Sequence, residues 1–86
     1  MYLIIISKKV EDKIKFLNTK DKLKFKKILE QMEQNPFYPT LKSHKLSGNM
    51  SNLWSCSLNY KNRIIFFFVK EKEIYLIDIG SHDKVY

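Results

Sequence analysis

The chain has 86 residues, 44% of them hydrophobic, with two glycines, two prolines, one cysteine and a formal charge of +7. That composition is too apolar for a disordered chain, and the length allows one domain with a thin core and little room for a deep enclosed pocket. A single cysteine excludes an internal disulfide, and no apolar run approaches the roughly 20 residues of a membrane span, so the cytoplasm is the expected setting and no membrane contact is expected.

Tyr2 to Ile6 is apolar and rich in β-branched residues, which predicts a buried strand. Lys8 and Lys9 follow this run, whereas a signal peptide carries its positive charge first. Ser7 is placed to cap a helix in which Val10, Ile14 and Leu17 recur at i, i+4 and i+7. Asn18 and Thr19 interrupt that face and can cap a second helix, with Phe25, Ile28, Leu29 and Met32 on one stripe and Lys20, Lys22, Lys24, Lys26 and Lys27 mostly turned away from it. Asn35-Pro36 ends it, because a residue before proline avoids the α region. So short a connection predicts an antiparallel helix hairpin.

Pro36 to Asn52 is the longest irregular stretch, punctuated by Pro39, Ser47, Gly48 and Asn49. Three strands follow. Leu53 to Leu58 alternates, with Leu53, Ser55 and Ser57 on one side and Trp54, Cys56 and Leu58 on the other. Ile64 to Val69 is apolar on both faces, which predicts the central strand. Ile74 to Ile79 is the last strand, stopped by Gly80. Asn59 to Asn62 and Lys70 to Glu73 are short enough to predict an antiparallel meander. The order β-α-α-β-β-β predicts one α+β domain over residues 1–86, a helix hairpin packed on a four-stranded, mainly antiparallel sheet.

The charge is uneven. Residues 1–48 carry eleven lysines against five acids, and residues 49–86 carry five basic against four acidic residues. Such a field suits phosphate backbones or acidic partners, and it equally describes a solvated lysine surface. There is no glycine-rich phosphate loop, no CxxC and no HExxH, and the carboxylates are scattered, so no metal and no cofactor is expected. Cys56 lies inside a predicted strand and reads as packing.

Four polar residues remain: His44 in the loop Leu41 to Leu46, Arg63 at the start of the central strand, and His82 and Tyr86 after the last strand. Taken singly, a loop histidine is an ordinary surface residue, an arginine a salt-bridge partner and a terminal tyrosine a packing residue. The meander changes their weight. Antiparallel neighbours set the start of one strand beside the end of the next, so Arg63 and His82 should meet at one end of the sheet, with the His44 loop folding over it. Two imidazoles and a guanidinium suit RNA cleavage without metal: one group takes the 2′-OH proton, a second protonates the leaving 5′-oxygen, and a cation stabilises the phosphorane. Tyr86 can stack on a base. Lys42, Lys45, Lys61, Asn62 and Lys84 are the candidate RNA contacts around this set.

At these residues the sequence resembles the RelE/ParE superfamily of toxin–antitoxin toxins, nearest to its YafQ-like and archaeal RelE-like mRNA interferases. The resemblance is carried by Asn35-Pro36-Phe37, His44-Lys45-Leu46-Ser47-Gly48, Leu53-Trp54-Ser55, Asn62-Arg63-Ile64-Ile65-Phe66 and Ile79 to Tyr86, the last similar to a terminal IGxHxxVY pattern. It implies a RelE-like fold, a ribosome-associated mRNA endonuclease, catalytic roles at His44 and His82, an aromatic at Tyr86, phosphate contacts near Asn62 and Arg63, and a cognate antitoxin that wraps the toxin with an amphipathic segment. Ser57 and Asn62 stand where YafQ-like toxins carry a further histidine and an acidic residue. A non-enzymatic ParE-like gyrase poison, a degenerate toxin kept as a binding module and a generic RNA-binding domain are the competing readings.

Overall fold

The computed structural model describes residues 1–46 and 52–81. Strand β1 (Leu3–Ile6) leads into helix α1 (Lys8–Ile14) and helix α2 (Thr19–Gln34), followed by a 3₁₀ turn at Pro39–Leu41. Strands β2 (His44–Lys45), β3 (Trp54–Ser57), β4 (Asn62–Lys70) and β5 (Glu73–Ser81) complete one sheet in the order β1-β5-β4-β3-β2. The fold is α+β, as expected, with β4 at its centre. One point, the strand count, differs in detail. The sheet has five strands, because His44–Lys45 pairs with Ser55 and Trp54 inside the stretch read as irregular, and β1 joins β5 in parallel.

The local causes are the capping residues. Ser7 Oγ accepts from the Val10 N–H at 3.2 Å and donates to the Ile77 carbonyl at 2.9 Å, so one side chain starts α1 and ties it to β5. Asn18 Oδ1 accepts from the Asp21 N–H at 2.8 Å to start α2. Asn35 takes an extended backbone ahead of Pro36 and closes α2. Phe37 then lies 5.1 Å from Trp54 and 5.9 Å from Phe68, centroid to centroid, which pins the chain after α2 to β3 and β4.

The helices cover one sheet face. Val10, Phe25, Ile28 and Met32 meet Cys56, Leu58, Ile64, Phe66, Ile74, Leu76 and Ile79 in the main core. The opposite face holds a smaller cluster, in which Leu46 and Ile65 pack with Leu53 and Ile77. The alternation predicted for residues 53–58 is therefore observed: Trp54, Cys56 and Leu58 face the helices. A register shift opposite Ile65 and Phe66 leaves Ile77 as an extra residue in β5. Beyond it, Asp78 binds Lys13 at 2.7 Å and Lys9 at 3.2 Å, while Lys13 also donates to the Ile79 carbonyl. Lysines of α1 thus clasp β5 past the point where β1 stops pairing.

Candidate active site

Arg63 is the second residue of β4, between Ser57 on β3 and Gly80 on β5. Its neighbour Ile64 enters the main core, so alternation turns Arg63 onto the face away from the helices. There Arg63 is 5% exposed. Its Nε donates to Ser55 Oγ at 2.9 Å, and its Nη2 donates to the Lys42 carbonyl at 2.7 Å and to the Ser55 carbonyl at 3.3 Å. The planar fork holds two partners at once, which a lysine could not do in this geometry. Burying a guanidinium is costly unless its donors are met, and here they close onto oxygens of two chain segments.

Lys42 has φ 52° and ψ 47°, the only positive φ at a non-glycine among the described residues. This left-handed turn presents its carbonyl to Arg63 and sends the chain directly into β2. His44, two residues on, pairs with Ser55 and is exposed, with Nδ1 3.3 Å from the Lys45 carbonyl. Paired residues share a sheet face, so His44, Ser55 and Arg63 lie on one face, with Ser55 linking the other two. Ser55 is the residue that sequence reasoning missed. Its signal was a polar side chain, shared with Ser57, on the side of the strand opposite Trp54 and Cys56.

The remaining candidates divide. Lys45 pairs with Trp54, and its Nζ lies 5.8 Å from the Trp54 ring, on the other face of β2 from His44. Lys61 sits in the β3–β4 turn, and Asn62 opens β4 opposite Ser81. His82, Lys84 and Tyr86 lie outside the described residues; the described part of β5 ends at Ser81, in the pair next to Arg63 and Gly80.

Burial pushes the Cys56 thiol up to about 12, against the downward pull of the nearby Arg63 charge. Cys56 is fully buried on the helix side, which supports its reading as packing. At Asp78, burial favours the neutral acid, but hydrogen bonds from Lys13, Lys9 and the Ile79 N–H outweigh it and hold the carboxyl below its ordinary range. Among the described residues, no three His, Cys, Asp or Glu side chains gather to hold a metal ion, and no helix is long and apolar enough to cross a membrane.

A family model described as the YoeB-like toxin of bacterial type II toxin–antitoxin systems matches residues 6–83. Among solved structures, the archaeal RelE–RelB complex from Pyrococcus horikoshii is similar with a TM-score of 0.79 and 21% identity, covering 93% of both chains. YafQ from Escherichia coli has a TM-score of 0.76 and 16% identity, covering 100% of this chain and 99% of that one. The YoeB–YefM complex from Staphylococcus aureus has a TM-score of 0.76 and 20% identity, covering 95% and 98%. At these identities the structural likeness concerns the fold. No curated protein sequence matches the chain at a significant level.

Proposed function

The chain belongs to the YoeB-like toxin family of bacterial type II toxin–antitoxin systems, and from that premise we propose that it is a cytoplasmic, ribosome-dependent mRNA endoribonuclease, one toxin domain over residues 1–86. The observation that carries this reading is the convergence of His44 and Arg63 on Ser55, on the sheet face opposite the helices.

The reaction forms a bond from the 2′-oxygen to the adjacent phosphorus and breaks the bond from phosphorus to the 5′-oxygen. It leaves a 2′,3′-cyclic phosphate and a 5′-hydroxyl. His44 and His82 take the two proton roles, since imidazole titrates near neutral pH. Arg63 supplies the positive charge for the phosphorane. Ser55 and the Lys42 carbonyl hold that charge in place beforehand, so little reorganisation accompanies the reaction. Tyr86 stacks on a base beside the cut. Lys42, Lys45, Lys61, Asn62 and Lys84 follow the RNA backbone. The side chains carry every proton and charge role, so the reading assigns no metal or cofactor.

RelE and YoeB are solved with RelB and YefM, and the same kind of partner is proposed here: an antitoxin that neutralises the toxin. Ile64, Ile65 and Phe66 are core, which removes the start of the apolar β4 run from that contact. Phe16 and Leu23 remain exposed on the helix side and suit an amphipathic partner segment.

The test is induction in cells, with mRNA ends and DNA integrity followed together. Prompt cuts in translated mRNA, abolished by His44→Ala and by His82→Ala, are expected. DNA breaks with intact mRNA, or no growth effect from the wild type, would overturn the reading.

A further inference from the structure

A second feature lies at the same end of the sheet, between the first turn of α2 and the β3–β4 hairpin. An open groove of about 580 Å³ runs there, within the range of roughly 300–1,000 Å³ typical of ligand sites. Lys20 and Lys24 of α2 form one wall, and Tyr60 and Lys61 of the hairpin form the other. Asn62 closes the end of the groove and is the residue before Arg63. By alternation Asn62 faces the helices and Arg63 the opposite side, so the groove lies around the β3–β4 turn from the candidate active site.

Two observations separate this groove from an ordinary lysine surface. The first is Tyr60, which is 86% exposed, with Lys61 Nζ 6.0 Å from its ring centroid. The ring contributes nothing to either core cluster. The second is the support beneath it. Asn59 Oδ1 accepts from the Lys61 and Asn62 N–H groups at 2.9 and 2.8 Å, while its Nδ2 donates to Asp21 Oδ2 at 3.1 Å. One side chain thus fixes the turn that presents Tyr60 and ties that turn to α2. Among the described residues Asp21 is the one carboxylate lining the groove, and it is engaged by Asn59. Three lysines face it.

An exposed aromatic ring among cations is the arrangement that binds single-stranded nucleic acid, with bases on the ring and phosphates on the lysines. We propose that this groove is a second single-stranded RNA subsite, in which a base stacks on Tyr60 while the flanking phosphates lie against Lys20, Lys24 and Lys61. It rests on the endoribonuclease reading and extends it: RNA leaving the Arg63 face passes around the β3–β4 turn to reach the groove on the helix side. The strand is either the message beyond the cut or ribosomal RNA, and the chemistry of recognition is the same for both.

The test measures binding without cleavage, using 2′-O-methyl oligonucleotides of about 12 and about 3 nucleotides and purified small ribosomal subunits. The variants are Tyr60→Ala, Tyr60→Phe and the double variant Lys20→Gln/Lys24→Gln, each checked for an unchanged melting midpoint. Tyr60→Ala should weaken binding of the long RNA roughly five- to a hundredfold, and Tyr60→Phe should restore it. The double variant should flatten the salt slope by about 1.4, with the short oligonucleotide unaffected by either change. Dependence on the free long oligonucleotide identifies the strand as message; dependence on the subunits alone identifies it as ribosomal RNA. Unchanged binding of both RNAs, in a protein whose wild type cleaves mRNA, overturns the subsite and leaves the nuclease reading intact. Loss of binding to an acidic antitoxin peptide with RNA binding unchanged overturns it in favour of a protein contact. A wild type that binds no RNA of any length ends both.

Discussion

Arg63 Nε donates to the Oγ of Ser55 at 2.9 Å, and Ser55 is completely buried. Through the Lys42 carbonyl the same guanidinium reaches the turn that leads into β2. His44 pairs with Ser55, so the placement of the exposed imidazole and of the buried cation depends on one serine.

Replacing Ser55 tests that dependence. Ser55→Ala takes an acceptor from a buried, charged donor, which costs about 1–3 kcal/mol. For a domain of this size, each kcal/mol lowers the melting midpoint by roughly 4–8 °C. Ser55→Thr keeps the hydroxyl and should recover part of the loss. On the proposed reaction, Ser55→Ala should lower kcat more than it raises KM, because the charge it orients matters most in the transition state. Arg63→Lys should show the same split while keeping the charge, because an ammonium lacks the planar fork. Matched losses in kcat and 1/KM would reduce Ser55 to a structural role.

What could be read from the sequence follows the range of the interactions. Ser7 and Asn18 announced both helices because a cap acts over three residues. The alternation of residues 53–58 showed which face meets the helices, because a strand repeats every two residues. His44–Lys45 was missed because a two-residue strand has no period to detect; its pairing with Ser55 and Trp54 spans the loop between them. The parallel pairing of β1 with β5 joins Leu3 to Glu73, a separation that local patterning does not encode. At the site, Arg63 was found from its place in the meander. Its burial was not, since it depends on the Lys42 turn folding back over β3 and β4.

Acid should unfold the protein partly through Asp78. Its carboxyl is held below the ordinary range in the folded chain, so the unfolded state takes up a proton at higher pH than the folded state does. The stabilisation is complete above the unfolded value, near 3.9, and is lost as pH falls through the lower folded value. Asp78→Asn should reduce the midpoint at neutral pH and flatten its decline below about pH 4. Thermal melts of both proteins across pH 2–7 decide it; parallel curves would mean that the Lys9 and Lys13 contacts add nothing to stability.

Cys56 reports on global opening. Only the thiolate is alkylated, and with the thiol pushed up to about 12 behind a fully closed surface, the thiolate fraction at pH 8 is about one in ten thousand. Native protein should resist iodoacetamide at pH 8 for as long as it stays folded, and labelling should track unfolding in urea. Rapid labelling without denaturant would show a local opening of β3.

Lys42 has a backbone role at Arg63 and a proposed side-chain role toward RNA, which one substitution can separate. Its backbone occupies the left-handed region, which costs a residue with a Cβ roughly 1–2 kcal/mol. Glycine enters that region freely but loses more entropy on folding, about 0.5–1 kcal/mol. Lys42→Gly should therefore leave the melting midpoint unchanged or slightly raised, because the carbonyl that Arg63 binds is kept. The ammonium is lost, so on the proposed RNA path the slope of log affinity against log salt should flatten by about 0.7 for single-stranded RNA. Lys45→Gln offers a contrast, since Lys45 lies against Trp54 on the other face of β2 from His44. If RNA follows the His44 face alone, Lys42→Gly changes the slope and Lys45→Gln does not; a change from both means that the strand bends around the edge at β2. Salt titrations of a 2′-O-methyl oligonucleotide distinguish the two paths, and an unchanged slope in both variants would remove this edge of the sheet from the RNA footprint.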